Sequence, residues 1–142
     1  MAASVKSELN MTKLIVITGV SRGLGFAMTE HLIREKHTII GCASSTAGVK
    51  KLQQQFGSPH NFTVVDVAED HQVKAWASEV LERYSPPDLL INNAAIINHL
   101  APLWKVTADE FDRLIDVNIK GVANVIRQFV PAMIARNSGI VV

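Results

Sequence analysis

Short apolar runs alternate along the chain with longer stretches in which apolar residues recur every three or four positions. That alternation predicts βαβ units on a parallel sheet. Leu14-Ile15-Val16-Ile17 is apolar without a break, as expected of a strand buried on both faces. From Gly23 to Glu35, apolar Leu24, Ala27, Met28, Leu32 and Ile33 follow helical spacing. A second strand is predicted from His37 to Gly41, with β-branched Thr38, Ile39 and Ile40, and then a short helix from Val49 to Phe56, ended by Gly57 and Pro59. Phe62-Thr63-Val64-Val65 predicts a third strand that ends at Asp66. His71 to Tyr84 predicts a helix with Val73, Trp76, Val80 and Leu81 on one face, closed by Pro86-Pro87. Leu89-Leu90-Ile91 predicts a fourth strand, Thr107 to Arg136 a long helix, and Ile140-Val141-Val142 the start of a fifth strand. Thr107 and Glu110 have capping-box spacing, in which the hydroxyl accepts from an N–H and the carboxylate reaches back. Without repeats, low-complexity tracts or a linker, the pattern fits a flexible tail over 1–12 and a single α/β domain over 13–142. That domain is expected to be a doubly wound parallel sheet with helices on both faces, incomplete in its fifth strand.

Composition narrows the function classes. The 14 Lys and Arg nearly balance the 13 Asp and Glu, for a net charge of +1, which favours neither nucleic acid nor an anionic membrane as partner. No stretch approaches the roughly 18 apolar residues of a membrane helix. Residues 1–13 lack the apolar run of a signal peptide and the arginine of a transit peptide. A lone Cys42 cannot form an internal disulfide, so a reducing, cytoplasmic setting is expected. The five histidines show no metal-ligand spacing, and Trp76 and Trp104 are read as core or pocket-wall residues.

Candidate chemistry concentrates after the first strand, in Thr18-Gly19-Val20-Ser21-Arg22-Gly23-Leu24-Gly25. Glycines at 19, 23 and 25 let the turn tighten and let a pyrophosphate reach the backbone, while the next helix offers unpaired N–H groups and the positive end of its dipole. Plain turn glycines are the bland alternative, but their place between an apolar strand and an amphipathic helix favours nucleotide binding.

The T-G-x-x-x-G-x-G spacing of Thr18 to Gly25 resembles the cofactor motif of short-chain dehydrogenases/reductases, with their Rossmann-type fold. Three more matches follow in order. Asp66 is similar to the aspartate that holds the adenine amino group; its alternative is a helix N-cap. Asn92-Asn93-Ala94-Ala95 resembles the family's N-N-A-G, with Ala95 replacing the glycine. Asn118 resembles the active-site asparagine whose main-chain carbonyl helps to hold a water in a proton relay; its alternative is an ordinary polar residue at a helix bend. The resemblance implies a cofactor set of Thr18, Gly19, Ser21, Arg22, Gly23, Leu24, Gly25, Ser44, Asp66, Val67, Asn92 and Ala94, with Asn118 as the catalytic residue and no metal. Within the family, the run from Trp104 to Ile134 is most similar to plant reductases of pterin aldehydes; sepiapterin-type and ketoacyl reductases share the same motifs.

An acidic residue near the end of the second strand would bind a ribose diol and repel a 2′-phosphate. Here that region reads Gly41-Cys42-Ala43-Ser44-Ser45, with Ala43 where the family's NAD users tend to have Asp. Arg22 can pair with a 2′-phosphate, so NADP(H) is expected over NAD(H). Ser44 stands where many NADP-using relatives carry arginine, which thins the clamp. The family's serine, tyrosine and lysine have no counterpart before Val142; Tyr84 has Asp88 four residues on and does not fit Y-x-x-x-K. The expected function is therefore an NADPH-dependent reductase of a small carbonyl compound such as a pterin aldehyde, in a truncated form. The alternative is a non-catalytic dinucleotide-binding protein that pairs with a full-length homologue; homo-oligomers are compatible with both.

Overall fold

The apolar runs become strands in the predicted order, joined by helices that cover both faces. The computed structural model describes residues 11–142. In chain order the elements are β1 (Leu14–Thr18), α1 (Gly23–Arg34), β2 (Thr38–Ala43), α2 (Thr46–Gln55), β3 (Asn61–Val64), α3 (Asp70–Arg83) and β4 (Leu89–Ile91). A short 3₁₀ turn (Leu103–Lys105) then precedes α4 (Ala108–Ile115), a π turn (Asp116–Lys120), α5 (Gly121–Ala135) and β5 (Ile140–Val141). The sheet order is β3-β2-β1-β4-β5, with every pair parallel. After β3 the chain crosses to the other side of β1, so the winding reverses between β1 and β4. Open α/β sheets bind ligands at the C-terminal ends of strands flanking such a reversal.

Alternate side chains of the buried strands feed two apolar layers. Ile15, Ile17, Ile39 and Phe62 pack with Val49 and Leu52 of α2 and with Phe26 and Leu32 of α1. Val16, Ile40 and Leu90 face the other way, toward Val73, Trp76 and Val80 of α3 and Val125, Phe129 and Met133 of α5. Trp76 meets the fully buried Phe129 edge-on, with ring centroids 5.2 Å apart. Each buried aliphatic side chain of this kind contributes about 1.5–3 kcal/mol through removal from water.

Several local expectations need correction. β2 runs on to Ala43 because Cys42 and Ala43 are both buried, Cys42 pairing with β1 and β3 and Ala43 with β3. α2 starts at Thr46 and not at Val49, since Ser45 caps it by accepting from the Gly48 N–H at 3.1 Å; the apolar spacing marked only the buried part of the helix. The predicted long helix is interrupted by the π turn, where the Gly121 N–H donates to the Asp116 carbonyl. Thr107 caps α4 as expected, but the Glu110 carboxylate turns to His99 instead of reaching back. Trp104 is 85% exposed and belongs to no core. The tail expected over 1–12 lies mostly outside the described residues; only Met11 and Thr12 of it are seen, both exposed. No helix of the described residues is long and apolar enough to cross a membrane.

Candidate functional site

A cleft of about 340 Å³ opens at the C-terminal ends of β1, β2, β3 and β4. Its floor begins with the glycine turn, where Gly19 and Gly23 adopt positive φ of 75° and 58°. These are conformations that side chains with a Cβ rarely adopt. Gly25 serves by closeness: a Cβ there would collide with the Gly19 carbonyl and lie 2.5 Å from the Asn93 amide. The turn also leaves α1 open at its N-terminus. Arg22, the N-cap residue, is extended and supplies no side-chain cap, and the first turn holds no acid. By contrast α2 and α4 are capped by Ser45 and Thr107. The first N–H groups of α1 thus face the cleft without the satisfaction that serine or threonine gives elsewhere, an arrangement suited to an anion.

A second group of bonds ties the turn to β4. The Thr18 hydroxyl accepts from the Asn93 and Ala94 N–H groups at 3.1 and 3.0 Å. The Asn93 amide donates to the Thr18 and Gly19 carbonyls at 3.0 and 3.1 Å. These four bonds hold the two strand ends on either side of the winding reversal at a fixed separation.

The cleft gathers most of the predicted binding residues. Gly19, Ser21, Arg22, Gly23, Leu24, Gly25, Ser44, Asp66, Val67 and Ala94 all line it. Leu24 is 69% exposed at the mouth, and Arg22 and Ser44 are also exposed. Thr18 is buried beneath the turn and acts on its shape, not on the lining. Asn92 also stands back from the cleft: its N–H and side-chain amide both donate to the Val142 carbonyl, at 2.7 and 3.2 Å. Asn118 lies in the π turn, with its amide paired to the backbone of Ile96 in both directions at 2.9 Å. This side chain fixes the loop after β4 and does not enter the cleft, although neighbouring Val117 lines it. Asp66 is no helix cap, since the N-cap residue of α3 is Glu69; its Oδ1 accepts from the Ala68 N–H at 3.0 Å instead.

Sequence reasoning missed Asn93 and Arg113. Asn93 sits inside a motif already singled out, but its bonds to residues 74 and 75 positions away leave no trace in local pattern. Arg113 lies in an exposed, charged part of α4 and reaches Asp66 at 2.6 Å.

Other titratable groups bound the chemistry. Cys42 also lines the cleft, but burial pushes its thiol up to about 12, so it is not a nucleophile near neutrality. Tyr84 caps the C-terminus of α3 and lines a separate cavity at the opposite end of the strands, with Leu14 and Thr38 at the starts of β1 and β2. No group of three or more potential metal ligands occurs among the described residues.

Residues 13–142 match the family model described as short chain dehydrogenase. The chain is similar to the NADPH-dependent pterin aldehyde reductase of Arabidopsis thaliana, 41% identical over 92% of this chain and 54% of that protein. It is 30% identical to the 3-oxoacyl-(acyl-carrier-protein) reductase of Staphylococcus aureus, over 94% of this chain and 56% of that one. A metagenomic short-chain oxidoreductase solved with NADP superposes with a TM-score of 0.85 at 28% identity, over 93% of this chain and 62% of that one. The chain spans about half the length of the curated relatives it matches. With the parallel sheet, the glycine turn and the matched segment in agreement, the chain belongs to the short chain dehydrogenase family.

Proposed function

We propose that this chain is the dinucleotide-binding portion of an NADPH-dependent reductase that acts on a small carbonyl compound, a pterin aldehyde being the first substrate to try. The observation that carries the reading is the uncapped, acid-free start of α1 at the glycine turn, set in a cleft that ends at Asp66. The residues fit the cofactor. First-turn N–H groups of α1 would hold the diphosphate, and the tight Gly19–Gly25 approach brings the backbone within reach. Asp66 would accept from the adenine amino group, with Val67 lining the cleft beside it. No carboxylate stands at Ala43 or Ser44 to repel a 2′-phosphate, and exposed Arg22 is free of protein ion pairs among the described residues. This favours NADP(H), as does the NADPH-dependent relative. When bound, the cofactor supplies a hydride for a carbonyl carbon.

In this reading the four bonds joining Thr18, Gly19, Asn93 and Ala94 keep the cradle open at one width. Asn118 holds the loop after β4 against the π turn, and its backbone carbonyl would help to hold a water for proton transfer. Tyr84, beside the starts of the strands, takes no part, and the 142 residues alone bind cofactor without turning over substrate. The buried, unpaired thiol of Cys42 suits a reducing, cytosolic setting. The test is a steady-state assay that follows NADPH oxidation with a pterin aldehyde, alongside a binding titration. Binding without turnover is expected; turnover above background contradicts the assignment of proton-transfer groups to other residues. A non-catalytic protein that pairs with a full-length homologue would instead co-purify with that reductase.

A further inference from the structure

The Asp66 carboxylate is held from two directions. Oδ1 accepts from the Ala68 N–H at 3.0 Å, within its own loop, and Oδ2 accepts from Arg113 Nη2 at 2.6 Å, from across the cleft. The Asp66 N–H donates in turn to Gln72 Oε1 at 2.9 Å, which fixes the main chain at the same point. Arg113 belongs to α4, a helix with no fully buried side chain. With Leu114 and Ile115 only half-buried, α4 is tied to the strand-end loops by polar contacts as well: Arg113 to Asp66 after β3, and Glu110 to His99 after β4. Both Arg113 and Asp66 line the cleft. Each carboxylate oxygen has two lone-pair directions, so the bonds from Ala68 and Arg113 leave one direction open on each oxygen for a further donor.

We infer that Arg113 is a positioning residue for base recognition: it holds the Asp66 carboxylate in one orientation, so that the cleft selects a purine carrying an amino group at its 6-position. The inference rests on the dinucleotide reading above and adds a residue to it. A fixed carboxylate attracts an N–H edge and repels a carbonyl oxygen. A carboxylate released from Arg113 can rotate toward solvent and then distinguishes the two edges poorly. Hypoxanthine, which carries oxygen where adenine carries the amine, is therefore the informative probe.

The experiment measures affinities for NADP⁺ and for nicotinamide hypoxanthine dinucleotide phosphate with the wild type, Arg113→Met and Arg113→Lys. Arg113 has a side-chain exposure of 45%, so methionine can replace its stem without opening the core. One net hydrogen bond corresponds to a wild-type preference for the amino base of roughly threefold to tenfold. Arg113→Met is expected to bring that ratio close to unity while leaving the ratio of NADP⁺ to NAD⁺ affinity unchanged, and Arg113→Lys to restore part of the base preference. A merely structural role would weaken both bases equally. An unchanged base ratio in Arg113→Met overturns the inference and leaves the cofactor reading standing. A wild type that binds neither dinucleotide overturns the cofactor reading and this inference with it. Thermal melts check that each variant is folded, and Arg113→Gln carries the same comparison if methionine impairs folding.

Discussion

Asn93 is tied to Thr18 by two bonds that it donates: its side-chain amide to the Thr18 carbonyl at 3.0 Å, and its backbone N–H to the Thr18 hydroxyl at 3.1 Å. The pair bridges the two strand ends between which the cleft opens. Thr18→Val keeps the shape of the side chain but removes the acceptor of two backbone N–H groups. It is expected to destabilise the fold by about 1–3 kcal/mol, the range for partly buried donors left unpaired. Thr18→Ser is expected to recover most of that loss. Denaturant unfolding of the three proteins checks both statements, and an unperturbed Thr18→Val would show that the hydroxyl bonds carry no net stability.

The glycines of the turn are expected to fail for different reasons. Gly25→Ala places a methyl group against the Gly19 carbonyl and the Asn93 amide, neither of which can withdraw without breaking the bridge. It should lower stability by roughly 1–3 kcal/mol and abolish dinucleotide binding. Gly23→Ala has open space but a φ of 58°, so only backbone strain of about 1–2 kcal/mol is expected. Gly57→Ala has neither a positive φ nor a neighbour within 4 Å and should stay within about 0.5 kcal/mol of the wild type. Thermal melts with and without cofactor separate the three cases.

Arg22 and Ser44 should set the phosphate preference. Arg22→Ala is expected to weaken NADP⁺ binding about fivefold to tenfold, as for one partly exposed charged hydrogen bond, with NAD⁺ binding nearly unchanged. Ser44→Arg is expected to act in the opposite direction. Parallel titrations with both dinucleotides provide the check; equal losses for NADP⁺ and NAD⁺ in Arg22→Ala would remove the arginine from 2′-phosphate recognition.

Acid should loosen the loop after β4. The His99 backbone N–H donates to Glu110 Oε1 at 2.7 Å, and this bond, reinforced by the His99 ring, holds the Glu110 carboxyl below its ordinary range. A carboxyl lowered in the folded state stabilises fully above its unfolded value, near 4.5, and that contribution disappears as the pH falls through the lower folded value. The protection factors of the amides in residues 96–107, measured by hydrogen exchange, are therefore expected to fall below about pH 4.5 in the wild type. In Glu110→Gln protection should be lower from the outset and lack that acid-dependent step.

Much of the fold was legible because strand and helix periods are local. The unbroken run Leu14 to Ile17 and the spacing of Val73, Trp76 and Val80 identified sheet and core directly. The glycine turn was legible for the same reason, since its chemistry lies within eight consecutive residues. Arg113, the diverted carboxylate of Glu110 and the exposure of Trp104 were not. Each is decided by which strand-end loop lies opposite α4, a three-dimensional relationship that spacing along the chain does not encode. The π turn escaped notice because the apolar positions on either side of it still fit one long helix, and only the backbone shows the extra residue.

Isothermal titration of the folded protein with NADP⁺ and with NAD⁺ tests the central claim most directly. The cradle built from Gly19, Gly23, Gly25 and the open end of α1 predicts saturable 1:1 binding, tighter for NADP⁺. No heat or saturable signal with either dinucleotide, from protein that melts cooperatively, would contradict it.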